Sequence, residues 1–180
     1  MIRLEPLQRE DFHNIIEWNK GRTSDFLLQW AGPSYEYPIT EQQIEDYFNE
    51  TNANEGREMA IYKIVLEENG KMVGSFQIRE DDKDSNTGRV GRFIIDEAFR
   101  GKGIGKEALT QLMQIGFESL HYDIISLGVF DFNSAAIACY ETVGFEKYKL
   151  VEKARAASDG YWNLYDMKIT REKWNLKKQK

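Results

Sequence analysis

Apolar residues alternate with polar ones at the start of the chain, where Ile2 and Leu4 flank Arg3. That spacing predicts a short half-buried strand, stopped by Pro6. Phe12, Ile15 and Ile16 then recur at helical spacing, predicting a helix over 9–19 that Gly21 ends. A second helical piece is expected over 24–29. The stretch 30–38 breaks all periodicity with Pro33 and Pro38. Thr40 and Gln43 make a capping box, and Ile39 and Ile44 stand at the staple positions, so a helix is predicted over 41–53. Two strands, 57–67 and 71–79, flank Asn69-Gly70, a hairpin turn. After a charged loop over 81–86, a strand over 89–95 leads into a glycine-rich run. Ile104, Ala108, Leu112 and Ile115 mark one face of the helix that follows. A strand over 123–129, a helix over 133–143 and strands over 145–151 and 161–169 complete the pattern. The order, a hairpin of strands followed by alternating strand and helix, predicts a mixed α/β sheet.

Composition narrows the class. At 180 residues, 41% hydrophobic and 30% charged, the chain reads as one globular domain over 1–180, with 171–180 expected as a solvated tail. No apolar run reaches the ~20 residues of a membrane span. The amino terminus lacks the order of a secretory signal, so a cytoplasmic protein is expected. The lone Cys139 cannot form an intrachain disulfide and reads as a packed residue. His13 and His121 are too sparse for a metal site, and no metal is expected. With 24 basic and 30 acidic residues the net charge is −6, which disfavours nucleic acid and suits a cationic acceptor.

The candidate chemistry centres on Arg100-Gly101-Lys102-Gly103-Ile104-Gly105. A strand that turns through glycines into a helix brings unpaired N–H groups and a positive dipole end toward an anion, with Arg100 and Lys102 adding charge. A dinucleotide fingerprint fails, because Lys106 or Ala108 stands where its third glycine belongs. A Walker loop fails as well, because Arg100 and Glu107 replace its first glycine and its Ser or Thr. What remains is Arg-x-x-Gly-x-Gly. Downstream, Asn133-Ser-Ala-Ala-Ile-Ala-Cys-Tyr140-Glu-Thr-Val-Gly144-Phe145 forms a second signature in the matching order.

Together these motifs resemble the GNAT superfamily of acetyl-CoA-dependent N-acetyltransferases over roughly residues 88–147. The whole pattern, closing on Tyr161–Lys168, looks most like the RimJ and RimL branch. The resemblance implies a single α/β (α+β) domain, its mixed and mostly antiparallel sheet flanked by helices. Two central strands would splay so that pantetheine slots between them. It also implies acetyl-CoA as co-substrate, with Arg100, Gly101, Lys102, Gly103, Ile104 and Gly105 on the pyrophosphate and backbone groups of Phe93 and Ile95 pairing with pantetheine. Asn133 would contact CoA or simply cap its helix. Tyr140 would be the general acid or a packed residue.

For the acceptor, Trp30, Tyr35, Glu36 and Tyr37 combine aromatic faces with a carboxylate. Glu80, Asp81 and Glu36 are the candidate bases. The expected reaction moves an acetyl group to a small cationic amine or a protein amino terminus by direct attack in a ternary complex. The alternative is a non-catalytic acyl-CoA-binding module on the same fold. Neither membrane nor nucleic acid is an expected partner, and a homodimer is compatible with the resemblance.

Overall fold

The computed structural model describes residues 1–53, 59–82 and 84–179. The elements run β1 (Ile2–Pro6), α1 (Phe12–Asn19), α2 (Ser24–Ala31), α3 (Glu41–Ala53), β2 (Met59–Leu66), β3 (Met72–Asp82) and β4 (Thr87–Ile95). Then come α4 (Ile104–Gln114), β5 (Ile124–Phe130), α5 (Ser134–Val143), β6 (Glu146–Ala157), β7 (Gly160–Thr170) and α6 (Arg171–Lys178). Short 3-10 turns precede α1, follow α2 and lead from β4 toward the glycines. The seven strands hydrogen-bond in the order β1-β2-β3-β4-β5-β7-β6. The β4–β5 pair is parallel, whereas β1–β2, β2–β3, β5–β7 and β7–β6 are antiparallel.

The chain clusters into two compact units. The first comprises residues 1–79 and 91–104. Its core forms because α1 and α3 each turn one apolar stripe inward: Phe12 and Ile15 from α1 meet Ile44 and Phe48 from α3, with Leu7 and Met72 filling in. Phe12 and Phe48 meet edge to face at 5.3 Å. Thr40 caps α3 by accepting from the Gln43 N–H at 3.3 Å. The predicted capping box is only half made, since the Gln43 side chain turns instead to the Glu36 N–H and the Pro38 carbonyl. The strand predicted from residue 57 begins at Met59, and Arg57 lies outside the described residues.

The second unit comprises residues 80–90 and 105–180. Phe117, Tyr122, Ile125, Phe145 and Met167 are fully buried in it. Gly88 is forced by packing: a Cβ there would stand 2.6 Å from the Tyr122 ring. The ladder between β4 and β5 covers four residue pairs, from Thr87↔Ile124 to Val90↔Leu127, and β4 runs on to Ile95.

Two expectations are corrected here. Residues 80–82, expected at a strand end and in a charged loop, continue β3 to Asp82. The solvated tail is instead helix α6: Thr170 caps it by accepting from the Lys173 N–H, and Trp174 is buried against Phe117. One large apolar side chain outweighs the surrounding lysines, because burying an aromatic of that size is worth ~1.5–3 kcal/mol. Among the described residues, no helix is long and apolar enough to cross a membrane.

Candidate active site

In the first unit, β4 delivers the chain to the glycine loop. Asp96 ends the strand by donating its N–H to the Val73 carbonyl and accepting from Ala98 N–H. Arg100 Nε then reaches back to the Ile95 carbonyl at 3.0 Å, so this arginine also staples the loop to its own strand. Gly101 and Gly103 take φ of 73° and 81°, a region that costs a side chain a Cβ clash. A Cβ added at either would meet nothing within 4 Å. Packing therefore does not require these glycines; the backbone conformation does, and the exposed residues 101–103 lead into α4, whose first-turn N–H groups have no partner within the helix. That is the geometry of an anion-binding helix start. Lys102 lies 5.0 Å above the Phe99 ring, its charge beside the loop. Phe93, half-buried, packs its ring edge to face on Phe76.

Two residues beyond Val90, the last β4 residue in the ladder to β5, lies an arrangement that no sequence motif joins. Its centre is Arg92, in the middle of β4 with φ of 47°, which interrupts the extended strand. Its guanidinium carbon stands 3.5 Å from the centroid of the Tyr47 ring and 5.2 Å from that of Tyr35. Gln77 Oε1 accepts from both Arg92 Nη1 and the Tyr47 hydroxyl. Burial pushes the Arg92 guanidinium down to about 10 and the Tyr35 phenol up to about 12. These four side chains line a cavity with Trp30, Ile61 and Ser75 among its other walls.

The proposed acceptor residues separate. Trp30 is held by its Nε1–H on Asn19 Oδ1 and packs on Tyr35, so both belong to the Arg92 cavity. Tyr37 is exposed and lines a different cavity with Ile16, Lys20 and Leu27. The exposed Glu36 side chain lines neither.

In the second unit, Asn133 caps α5 by accepting from the Ala136 N–H at 3.2 Å. At the other end Gly144, with φ of 120°, lets its own N–H and that of Phe145 reach the Tyr140 carbonyl. Tyr140 packs its ring against Phe145. Its hydroxyl has no hydrogen-bond partner among the described residues, and burial, with Cys139 beside it, holds the phenol above its ordinary value. Burial likewise raises the Cys139 thiol, against the pull of Lys106. Of the candidate bases, Asp81 stands 3.9 Å from Arg89, which also pairs with Asp166 at 2.7 Å.

The comparisons with known proteins agree with this architecture. Residues 24–145 match the model of the acetyltransferase (GNAT) family, and the chain belongs to that family. It is 29% identical over 114 residues to the SPbeta prophage-derived uncharacterized N-acetyltransferase YokL of Bacillus subtilis, covering 63% of each chain. It is 42% identical over 69 residues to the spermine/spermidine N(1)-acetyltransferase of the same organism, covering 37% of this chain and 45% of that one. The chain thus spans under two thirds of either relative's length. Its fold matches the crystal structure of spermidine N-acetyltransferase from Vibrio cholerae in complex with CoA and spermine, with a TM-score of 0.82 at 18% identity over 97% of this chain and 98% of that one.

Proposed function

We propose that this protein is an N-acetyltransferase that moves an acetyl group from acetyl-CoA to a primary amine by direct attack in a ternary complex. The observation that carries the reading is the loop Arg100–Gly105. Its two left-handed glycines stand open, at the start of a helix, within a chain of the GNAT family.

The residues fit a CoA pyrophosphate. Main-chain N–H groups of the loop would hold it, with Arg100 and Lys102 supplying charge, and backbone groups of Phe93 and Ile95 would pair with pantetheine. Acetyl-CoA, when bound, supplies the activated acyl group as a thioester. Asn133, with Oδ1 committed to its cap, retains the amide N–H₂ as a donor. Tyr140 keeps its proton at neutral pH because burial opposes the phenolate. A phenol raised above ~10 is a weaker acid than the departing thiol, so the proton passes only if the same burial raises the thiolate's basicity or the transfer is concerted with breaking of the C–S bond. Cys139, its thiol raised by burial, stays neutral and forms no acyl-enzyme.

The acceptor amine attacks after losing its ammonium proton to water. The acceptor falls among small amines or protein amino termini. Incubating the protein with acetyl-CoA and a panel of amines, and measuring release of the CoA thiol, tests the reading. Thiol release that depends on an amine and yields an acetylated product supports it, and none with any amine refutes it.

A further inference from the structure

Among the described residues, Arg92 is a cation without a counter-charge. Among the described residues no carboxylate pairs with it: Nη1 goes to Gln77, two tyrosine rings take the faces, and Nε is buried with no hydrogen-bond partner. Other arginines of the molecule found carboxylates, as Arg9 did with Glu45 and Arg89 with Asp166. Even lowered to about 10, Arg92 is almost wholly charged at neutral pH. A half-buried guanidinium left unpaired is costly, and the cost is offset when a ligand brings an anion.

The surroundings are built to keep that charge in one place. Gln77, itself buried, stands against Gly91, where a Cβ would come within 3.3 Å of its Nε2. Its Oε1 ties Arg92 to Tyr47, so the planar fork cannot swing away. The cavity beside it measures about 20 Å³. That slightly exceeds the ~10–15 Å³ that one water needs, and it suits the tip of a ligand, not its body. Tyr35, Tyr47 and Arg92 are each half-buried, so part of this cluster faces solvent. Arginine meets a carboxylate through charge-assisted N–H bonds, and with Nη1 on Gln77 and Nε buried, Nη2 is the donor left to offer.

We propose that Arg92 reads a carboxylate on the acceptor, so that the substrate is an amine that also carries an acid group, an amino acid or a compound shaped like one, and not a polyamine. This rests on the N-acetyltransferase reading. A polyamine would bring more positive charge to a site whose fixed side chain is already a cation, whereas an amino acid answers that charge with its carboxylate.

The test compares matched acceptors. Initial rates of CoA-thiol release are measured with acetyl-CoA and free amino acids, the carboxamides of the same amino acids, and spermidine. The wild-type protein is compared with Arg92→Gln and Arg92→Lys. The wild type should favour at least one acid over its carboxamide, and over spermidine, by tenfold or more in kcat/KM. Arg92→Gln should lose at least tenfold on that acid and less than threefold on the carboxamide. Arg92→Lys should recover part of the loss, and the KM for acetyl-CoA should stay within twofold throughout. Preference of the wild type for carboxamides or spermidine overturns the proposal. So does an Arg92→Gln variant whose defect lies in the KM for acetyl-CoA.

If Arg92→Gln does not fold, the wild-type preference decides alone. If no amine of any kind releases thiol, the acetyltransferase reading fails separately. Thermal unfolding of the wild type with amino acids and their carboxamides then decides the carboxylate question. A midpoint raised by the acids alone supports the role of Arg92, and equal shifts contradict it.

Discussion

The glycine loop and the Arg92 cavity lie at opposite ends of the short chain segment 91–104, and they are built from opposite materials. The loop is main chain. Gly101 and Gly103 hold left-handed φ in open space, ahead of the unpaired first-turn N–H groups of α4. The cavity is side chain. Tyr35, Tyr47, Gln77 and Arg92 arrive from four segments and lock one another through rings and a shared carbonyl oxygen. A backbone site recognises what is common to a ligand class, such as a pyrophosphate, because any residue can supply an N–H. A side-chain site can be specific, because each atom in it is a choice. On this account the loop serves acetyl-CoA and the cavity serves the acceptor, and substitutions should separate the two.

The largest effect should come from a residue in neither region. Tyr140→Phe keeps the ring on Phe145 and removes only the proton, so kcat should fall by ~10² while both KM values hold, as steady-state kinetics would show. The pH profile sharpens this. Because burial raises the Tyr140 phenol, the protonated acid persists through the ordinary phenol range, and kcat should show no alkaline fall below pH ~10 on its account. The sign for folding is the same: a raised phenol adds stability that is fully present below its unfolded value and is lost as pH climbs through the folded one.

Next in size is Gly103→Val. With φ of 81° a β-branched residue is strained whatever the space around it, and the loop must shift. Calorimetry should show acetyl-CoA affinity reduced by tenfold or more, with acceptor KM unchanged. A smaller effect, confined to the acceptor, is expected of Tyr47→Phe. It keeps the ring under Arg92 and removes one hydrogen bond to Gln77, worth ~0.5–1.5 kcal/mol. Acceptor KM should rise severalfold, and calorimetry should find acetyl-CoA affinity intact. Smallest of all is Cys139→Ala, which should keep most activity. Mass spectrometry of the wild type with acetyl-CoA and no acceptor should find no acetyl adduct there.

The two regions also differ in how far they could be read from the sequence. The glycine loop is local: six consecutive residues carry it, and their spacing alone excludes two other phosphate loops. The cap of α5 was legible for the same reason, since Asn133 and Gly144 bracket one helix. The Arg92 cavity draws on positions 35, 47, 77 and 92, and no local pattern joins them. Gln77 alternates with Phe76 and Ile78 as a solvent-facing strand residue would, yet it is buried. Arg92 reads as an ordinary outward charge until its positive φ and its two tyrosines are seen. Helix α6 was obscured by composition, because four lysines among residues 171–180 outweighed Trp174 in the reading, although Thr170 stood ahead as a cap.

The central claim is that the loop holds acetyl-CoA for transfer to an amine. The most direct measurement is the initial rate of amine-dependent CoA-thiol release by the wild type and Gly103→Val across acetyl-CoA concentrations. The account predicts turnover by the wild type and a KM for acetyl-CoA at least tenfold higher in a folded Gly103→Val, with acceptor KM within twofold. Wild-type protein that releases no thiol with any amine, or a folded variant with an unchanged KM for acetyl-CoA, would contradict it.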